Sequence, residues 1–269
     1  MDFHFTPQEE AFRQELRAWL AANLPADYDP EKFAWEMDAE ERFRFHMAWH
    51  RRMHQGGWVG VHWPKEYGGR GATLVEQLIF HEELERVRAP HPANVLGLIM
   101  AGPVIMHWGS EVQKRRYLPK ILSGDELWCE GLSEPGSGSD LASLQTRAME
   151  EGDHFVINGQ KVWTSGAHRA QFCQLFVRTN PDAPKHKGMA CLLVDMKTPG
   201  ITVRPLVQIT GDAEFNEVFF TDVRVPKANL LGAKDQGWLD RTTLAGVRQP
   251  AGAVHGARVF APAVGPDGP

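Results

Sequence analysis

The chain has 269 residues, 42% hydrophobic and 23% charged, with a formal net charge of −5. That is enough apolar material for one large or two ordinary cores, and the slight acidity gives no nucleic-acid signal. No uninterrupted apolar run approaches a membrane span, and the N-terminal MDFHFTPQEE lacks the basic and apolar regions of a signal peptide. Cys129, Cys173 and Cys191 are widely spaced and odd in number, which suggests neither a disulfide framework nor a CxxC site. A reducing cytoplasm is the simplest expectation.

Thr6-Pro7-Gln8-Glu9 reads as a helix start, with Thr6 as cap, Pro7 at the first position and Glu9 closing a capping box. Phe12, Leu16, Trp19 and Leu20 fall on one face of that helix. A Pro-containing link over 26–32 leads to a second helical segment near 38–55. This segment carries His46, His50 and His54 at i, i+4 and i+8. Such a face could hold a metal. However, Arg42, Arg44, Arg51 and Arg52 surround it and no local carboxylate or cysteine completes a ligand set, so a partly solvated face is expected and no metal. Gly56-Gly57 ends the helix. Trp63-Pro64-Lys65-Glu66-Tyr67-Gly68-Gly69 is turn-rich, and helices are expected over 73–88, 94–108 and 111–122.

After residue 126 the pattern changes to short strands near 127–132, 143–149, 154–158, 173–178, 189–195, 201–207 and 215–225. Asn158-Gly159 reads as a hairpin turn. The fold class expected is therefore α+β: an N-terminal α-helical domain (1–125), then an antiparallel β-barrel or sandwich domain (126–232). Residues 227–248 read as a linker opening a third helical region. The 21 residues 249–269 contain four prolines and four glycines without periodicity. A truncated, irregular remnant is expected over 233–269.

Between the two patterns lies Leu132-Ser133-Glu134-Pro135-Gly136-Ser137-Gly138-Ser139-Asp140. Gly136 and Gly138 permit positive φ and close approach. Ser133, Ser137 and Ser139 offer hydroxyls to a phosphate or a ring oxygen, and successive amides can cradle an anion. Alone, such a loop is more often a plain connector. It is followed, however, by Asn158-Gly159-Gln160-Lys161-Val162-Trp163-Thr164-Ser165 and by Phe215-Asn216-Glu217-Val218-Phe219-Phe220-Thr221-Asp222-Val223-Arg224-Val225-Pro226.

This set, in this order and spacing, resembles the acyl-CoA dehydrogenase family of flavoproteins over residues 1 to 245. The resemblance implies FAD as cofactor and α,β-dehydrogenation of an acyl-CoA thioester. In that reaction a carboxylate takes the α proton and the β hydrogen leaves as hydride to flavin N5. It further implies an electron-transfer flavoprotein as acceptor and family-like homo- or hetero-oligomeric contacts. Carried over by position, Glu130 starts the binding stretch, and Leu132 and Ser133 meet the flavin's polar edge. Gly138 and Ser139 contact the cofactor, Ser139 also the acyl-CoA. Trp163 lies against the ring, Thr164 follows it, and Ser165 bonds near N5. The family often has an aromatic residue where this chain has Glu130. Without the resemblance, Trp163 would read as a buried strand aromatic. The N-terminal region and the WPKEYGG loop look more like bacterial enzymes acting on bulky or unusual acyl-CoAs.

The family's base is usually a glutamate of its C-terminal helical domain. At one of its two positions this chain has Val247, and the other falls beyond residue 269. No catalytic residue is therefore assigned. Three readings stay open: a working dehydrogenase completed by a partner, an inactive fragment or non-catalytic subunit, and a flavin oxidase or monooxygenase on the same scaffold. Loss of the C-terminal helices also predicts an exposed apolar face on the β domain.

Overall fold

The computed structural model describes residues 4–237. Helix α1 (Pro7–Asn23) begins at Thr6 with the capping box to Glu9, and buries Phe12, Leu16 and Leu20. The link that follows is not plain chain: Asp29 caps a short helix, α2 (Pro30–Trp35). Helix α3 (Ala39–Gln55) is capped by Asp38 and ends at Gly56. Helix α4 (Leu74–Arg86) starts at Thr73, again with a capping box. The apolar stretch after it forms a π-helical turn (Gly97–Ala101) running into α5 (Gly102–Trp108). Helix α6 (Glu111–Ser123) closes on Gly124 at φ +75°.

The solvated-histidine expectation is corrected at His50. It is fully buried, and its Nε2 donates to the Leu122 carbonyl at 2.9 Å, tying α3 to the end of α6. The helix turns its Met47, Trp49, His50 and Met53 side inward, so position in the bundle decides burial rather than the polarity of the residue. Among the described residues no cluster of His, Cys, Asp and Glu is placed to hold a metal, and no helix is long and apolar enough to cross a membrane.

Among the described residues eight strands follow: β1 (Trp128–Gly131), β2 (Arg147–Glu151), β3 (His154–Lys161), β4 (Phe172–Arg178), β5 (Met189–Asp195), β6 (Ile201–Leu206), β7 (Phe215–Pro226) and β8 (Leu230–Leu231). Their order is β6-β7-β3-β2-β4-β5-β8, with β1 beside β4. Pairing is antiparallel except that β4 runs parallel to β1 and, at Arg147/Arg178, to β2. Leu230 and Leu231, expected in a linker, instead pair with Leu192 and Cys191.

The Asn158-Gly159 hairpin is also corrected. The β2–β3 turn lies at Gly152-Asp153, between the paired Glu151 and His154, with Gly152 at φ +59°. Asn158-Gly159 sits inside β3, at a bulge where Asn158 opposes both Thr221 and Asp222 of β7. Asn158 Nδ2 donates to Asp222 Oδ1 at 2.9 Å, and the Asp222 amide returns a bond to Asn158 Oδ1 at 3.0 Å. A Cβ at Gly159 would meet Thr146 Cα at 2.7 Å. The Asn-Gly pair thus serves a bulge and a close approach rather than a turn.

Strands β4 and β5 are buried on both faces. Phe172, Phe176, Met189, Cys191 and Leu193 join the helical core, while Cys173, Leu175, Val177, Ala190, Leu192 and Val194 join a second core with Phe155, Ile157, Val218 and Val223. The sheet curls around that second core and presents its other face to the helices.

The helical domain is also held by one buried carboxylate. Glu83 on α4 accepts from Arg13 Nη1 at 2.9 Å, Arg17 Nε at 2.7 Å and Arg86 Nε at 2.8 Å. Burial pushes this carboxyl up, but the arginines outweigh it and hold its pKa at about 2. The folded value lies below the unfolded one of about 4.3. The resulting stability is full above that value and is lost as pH falls towards about 2. Glu83→Gln should lower stability at pH 7 by about 2 kcal/mol, a buried-pair loss discounted because Arg17 and Arg86 reach solvent. It should also flatten the acid limb. Thermal melts from pH 7 to pH 2.5 check both.

Candidate functional site

The loop after β1 is folded on itself. Glu134 and Ser137 exchange backbone bonds, Glu134 N to Ser137 O at 2.8 Å and Ser137 N to Glu134 O at 3.0 Å. Gly136 and Gly138 are not among the positive-φ glycines, which corrects that part of the loop expectation. A Cβ on either would meet nothing within 4 Å, so open space beside them is what they provide. Ser137 is likewise turned inward, its hydroxyl donating to the Asp140 carbonyl at 2.8 Å. Lys185 anchors the loop's far end through Asp140 at 2.6 Å.

The three sequence motifs meet here. The Val162 amide donates to the Ser133 carbonyl at 2.9 Å, joining the end of β3 to the loop. The Thr164 amide donates to the Asn216 carbonyl at 3.0 Å, and Asn216 Nδ2 donates to the Thr164 carbonyl at 2.9 Å, joining both to β7. Between these pins Trp163 sits at φ +59°, a left-handed conformation that is costly for a bulky residue. Its indole is 62% exposed, edge-on to Phe215 at 6.1 Å. It is therefore no buried strand aromatic: the backbone is bent to hold a large flat ring at the surface.

Thr164 is buried with its hydroxyl unpartnered. Ser133 and Ser165 are half-buried and Ser139 is exposed. Leu132 packs its side chain on the helical core. Glu130 lies apart from the loop, on the face of β1 shared with Trp128 and opposite Gln174 of β4. Both its carboxyl oxygens are buried without a partner, and so is the Gln174 amide. Burial, with the neighbouring Cys173, drives the Glu130 pKa well above the ordinary carboxylate value. An open cleft of about 480 Å³ lies on the Pro135-Gly136 side, lined also by Ser143, Gln145 and Gln160. None of Ser133, Ser139, Trp163 or Ser165 lines it, and the site is assigned to the junction of the three motifs instead.

Residues that sequence reasoning did not single out hold this junction. Lys161 is fully buried, its Nζ donating at 2.9 Å to the Leu132 carbonyl and at 2.9 Å to Glu134 Oε1. Glu134 also accepts from the Gln145 amide at 2.6 Å and the Thr146 amide at 2.9 Å. Burial opposes ionisation of Glu134, but Lys161 and these donors hold its pKa below the usual range. Desolvation lowers the Lys161 pKa, with Glu134 pulling the other way. The available signal was register: Lys161 shares the inward face of β3 with Phe155 and Ile157, where an apolar residue belongs.

Asn216→Ala would leave the buried Thr164 carbonyl without its side-chain donor. A loss of about 1–3 kcal/mol is expected in chemical denaturation, with a changed Trp163 emission in the folded state.

The acyl-CoA dehydrogenase N-terminal domain profile matches residues 6–125, and the middle domain profile matches residues 129–223. The acyl-CoA dehydrogenase IpdE1 of Mycobacterium tuberculosis is 45% identical over 230 residues, spanning 85% of this chain and 60% of that protein. The acyl-CoA dehydrogenase FadE29 of the same organism is 40% identical over 243 residues, spanning 90% of this chain and 61% of that protein. Among solved structures, the Tcur3481-Tcur3483 steroid ACAD is 38% identical with a TM-score of 0.78, covering 91% of this chain and 62% of that one. The ChsE4-ChsE5 complex from Mycobacterium tuberculosis is 36% identical with a TM-score of 0.77, covering 91% and 61%. The chain thus spans about 60% of the length of the curated relatives IpdE1 and FadE29. With both domain profiles matched in order and relatives of this identity across them, the chain belongs to the acyl-CoA dehydrogenase family.

Proposed function

We propose that residues 126–232, with the helical domain behind them, form the flavin-facing part of an FAD-dependent acyl-CoA dehydrogenase site. The observation that carries this reading is Trp163, an exposed indole held at φ +59° at the junction of three motifs. An indole face suits a flavin ring. The surrounding groups fit the same cofactor: an unpartnered Thr164 hydroxyl, the serines 133, 139 and 165, and open space over Gly136 and Gly138. When bound, FAD would supply the hydride acceptor for α,β-dehydrogenation of an acyl-CoA.

The chain's own residues bind and orient. Leu132 and Ser133 face the flavin's polar edge, where fixed donors favour the reduced, more negative ring. Trp163 supports the ring, with Thr164 and Ser165 beside it. Gly138 lets cofactor and substrate approach, and Ser139 offers its hydroxyl to the acyl-CoA. Glu130 starts the stretch, buried and with its carboxyl oxygens unpartnered.

The name of the Tcur3481-Tcur3483 steroid ACAD favours a bulky acyl group, and the two-chain ChsE4-ChsE5 complex favours a second subunit beside this one. Leu74 and Leu78, one turn apart on α4, are 53% and 54% exposed, and Val207 and Ile209 of the β domain are exposed as well. Exposed apolar surface thus lies on both domains rather than on the β domain alone, as expected of faces that dock a partner. An electron-transfer flavoprotein is the proposed acceptor. Val247, at the expected base position, lies outside the described residues, as does the rest of the expected remnant from residue 238. It favours a second reading, a subunit that holds cofactor while another chain supplies the base.

Titration with FAD, followed by anaerobic addition of an acyl-CoA, tests the proposal. Bound flavin that bleaches supports the dehydrogenase reading. Bound flavin that does not bleach supports the second, and absence of binding sinks both. Trp163→Ala should weaken FAD binding about tenfold, the worth of an aromatic face. Its melting temperature should stay close to that of the parent because the indole is largely exposed.

A further inference from the structure

We infer that Lys161 is a positioning residue that polarises the Leu132–Ser133 peptide and thereby favours the reduced over the oxidised flavin. The inference rests on the cofactor reading above.

The Leu132 carbonyl and the Ser133 N–H are two ends of one planar amide. Lys161 Nζ donates to that carbonyl at 2.9 Å from a position with no solvent exposure. An ammonium on the oxygen draws electron density along the amide and makes the Ser133 N–H a stronger donor. Such coupling is largest where water does not screen it. The next peptide is fixed too, because the Ser133 carbonyl accepts from Val162 N at 2.9 Å. Ser133 is therefore held from both sides, and its N–H has a set direction.

The counter-ion determines how far the charge reaches. Glu134 lies 2.9 Å from the ammonium, so the pair is neutral at a distance. What remains local is a dipole with its positive end on the Leu132 oxygen. Filling the interior does not require it: Lys161 lies on the apolar face of β3, and a methionine would fill that space without taking two charges out of water. A strut would serve either redox state of the flavin alike. A polarised donor at the polar edge favours the state that carries more negative charge there.

The test compares the full chain with two neutral pairs, Lys161→Gln/Glu134→Gln and Lys161→Met/Glu134→Gln. The first replaces both charges with polar, uncharged amides, the glutamine at 161 being one bond shorter than lysine, and it carries the test if the second does not fold. FAD affinity is measured by ultrafiltration in the oxidised state and, anaerobically, in the dithionite-reduced state, with thermal melts alongside. The expected result is a graded fall in the ratio of reduced to oxidised affinity, reaching tenfold or more in the methionine variant. For a two-electron couple tenfold corresponds to about 30 mV. Equal weakening of both states, or an unchanged ratio in the glutamine pair, overturns the inference and leaves Lys161 a strut, with the cofactor reading intact. If the unaltered chain binds FAD in neither state, the cofactor reading fails and this inference falls with it.

Discussion

The candidate site depends on one buried ion pair. Lys161 and Glu134 come from elements far apart in the fold's logic, one a strand residue and the other a loop residue. Their contact fixes where the loop after β1 lies against the end of β3. Two charges removed from water are costly unless every polar atom is used. Here the ammonium serves Leu132 as well as Glu134, and the carboxylate serves two backbone amides as well as Lys161. The pair therefore does more than neutralise itself. It satisfies a loop that would otherwise carry buried, unpaired backbone groups.

The loop and Trp163 can be held rigidly because the sheet beneath them is rigid. Strands β4 and β5 are buried on both faces and belong to two cores at once. A shift of either strand would disturb the helical domain and the sheet interior together. Around this frame the molecule accommodates a left-handed tryptophan, with Asn216 bonding the chain just beyond it. Backbone strain of this kind persists only where the surroundings over-determine it.

Glu130 and Gln174 show the opposite case. They are buried side by side with no hydrogen-bond partner among the described residues. Burial pushes the Glu130 carboxyl upward in pKa, towards its uncharged form. Lys161 and Glu134, equally removed from solvent, are paired instead. The two sites lie close along the same stretch of chain and handle burial differently because only one has a partner within reach.

Much of this protein was legible from its residues. The capping box at Thr6 marked a helix start, and apolar periodicity marked the face of that helix, because both signals act within a few residues. The family motifs were legible as a set, and they meet in the fold, Val162 bonding Ser133 of the loop and Thr164 bonding Asn216 of β7. What the sequence left open was decided by distant contacts. Asn158-Gly159 carries the local chemistry of a turn, but its pairing with Asp222 makes it a bulge. His50 has the polarity of a surface residue, but the end of α6 covers it. Lys161 became the centre of the site only when the loop after β1 brought Glu134 to it. Local periodicity and capping set the elements; which polar groups are buried, and against whom, was settled by tertiary packing, because a buried charge takes its meaning from a partner that sequence distance does not reveal.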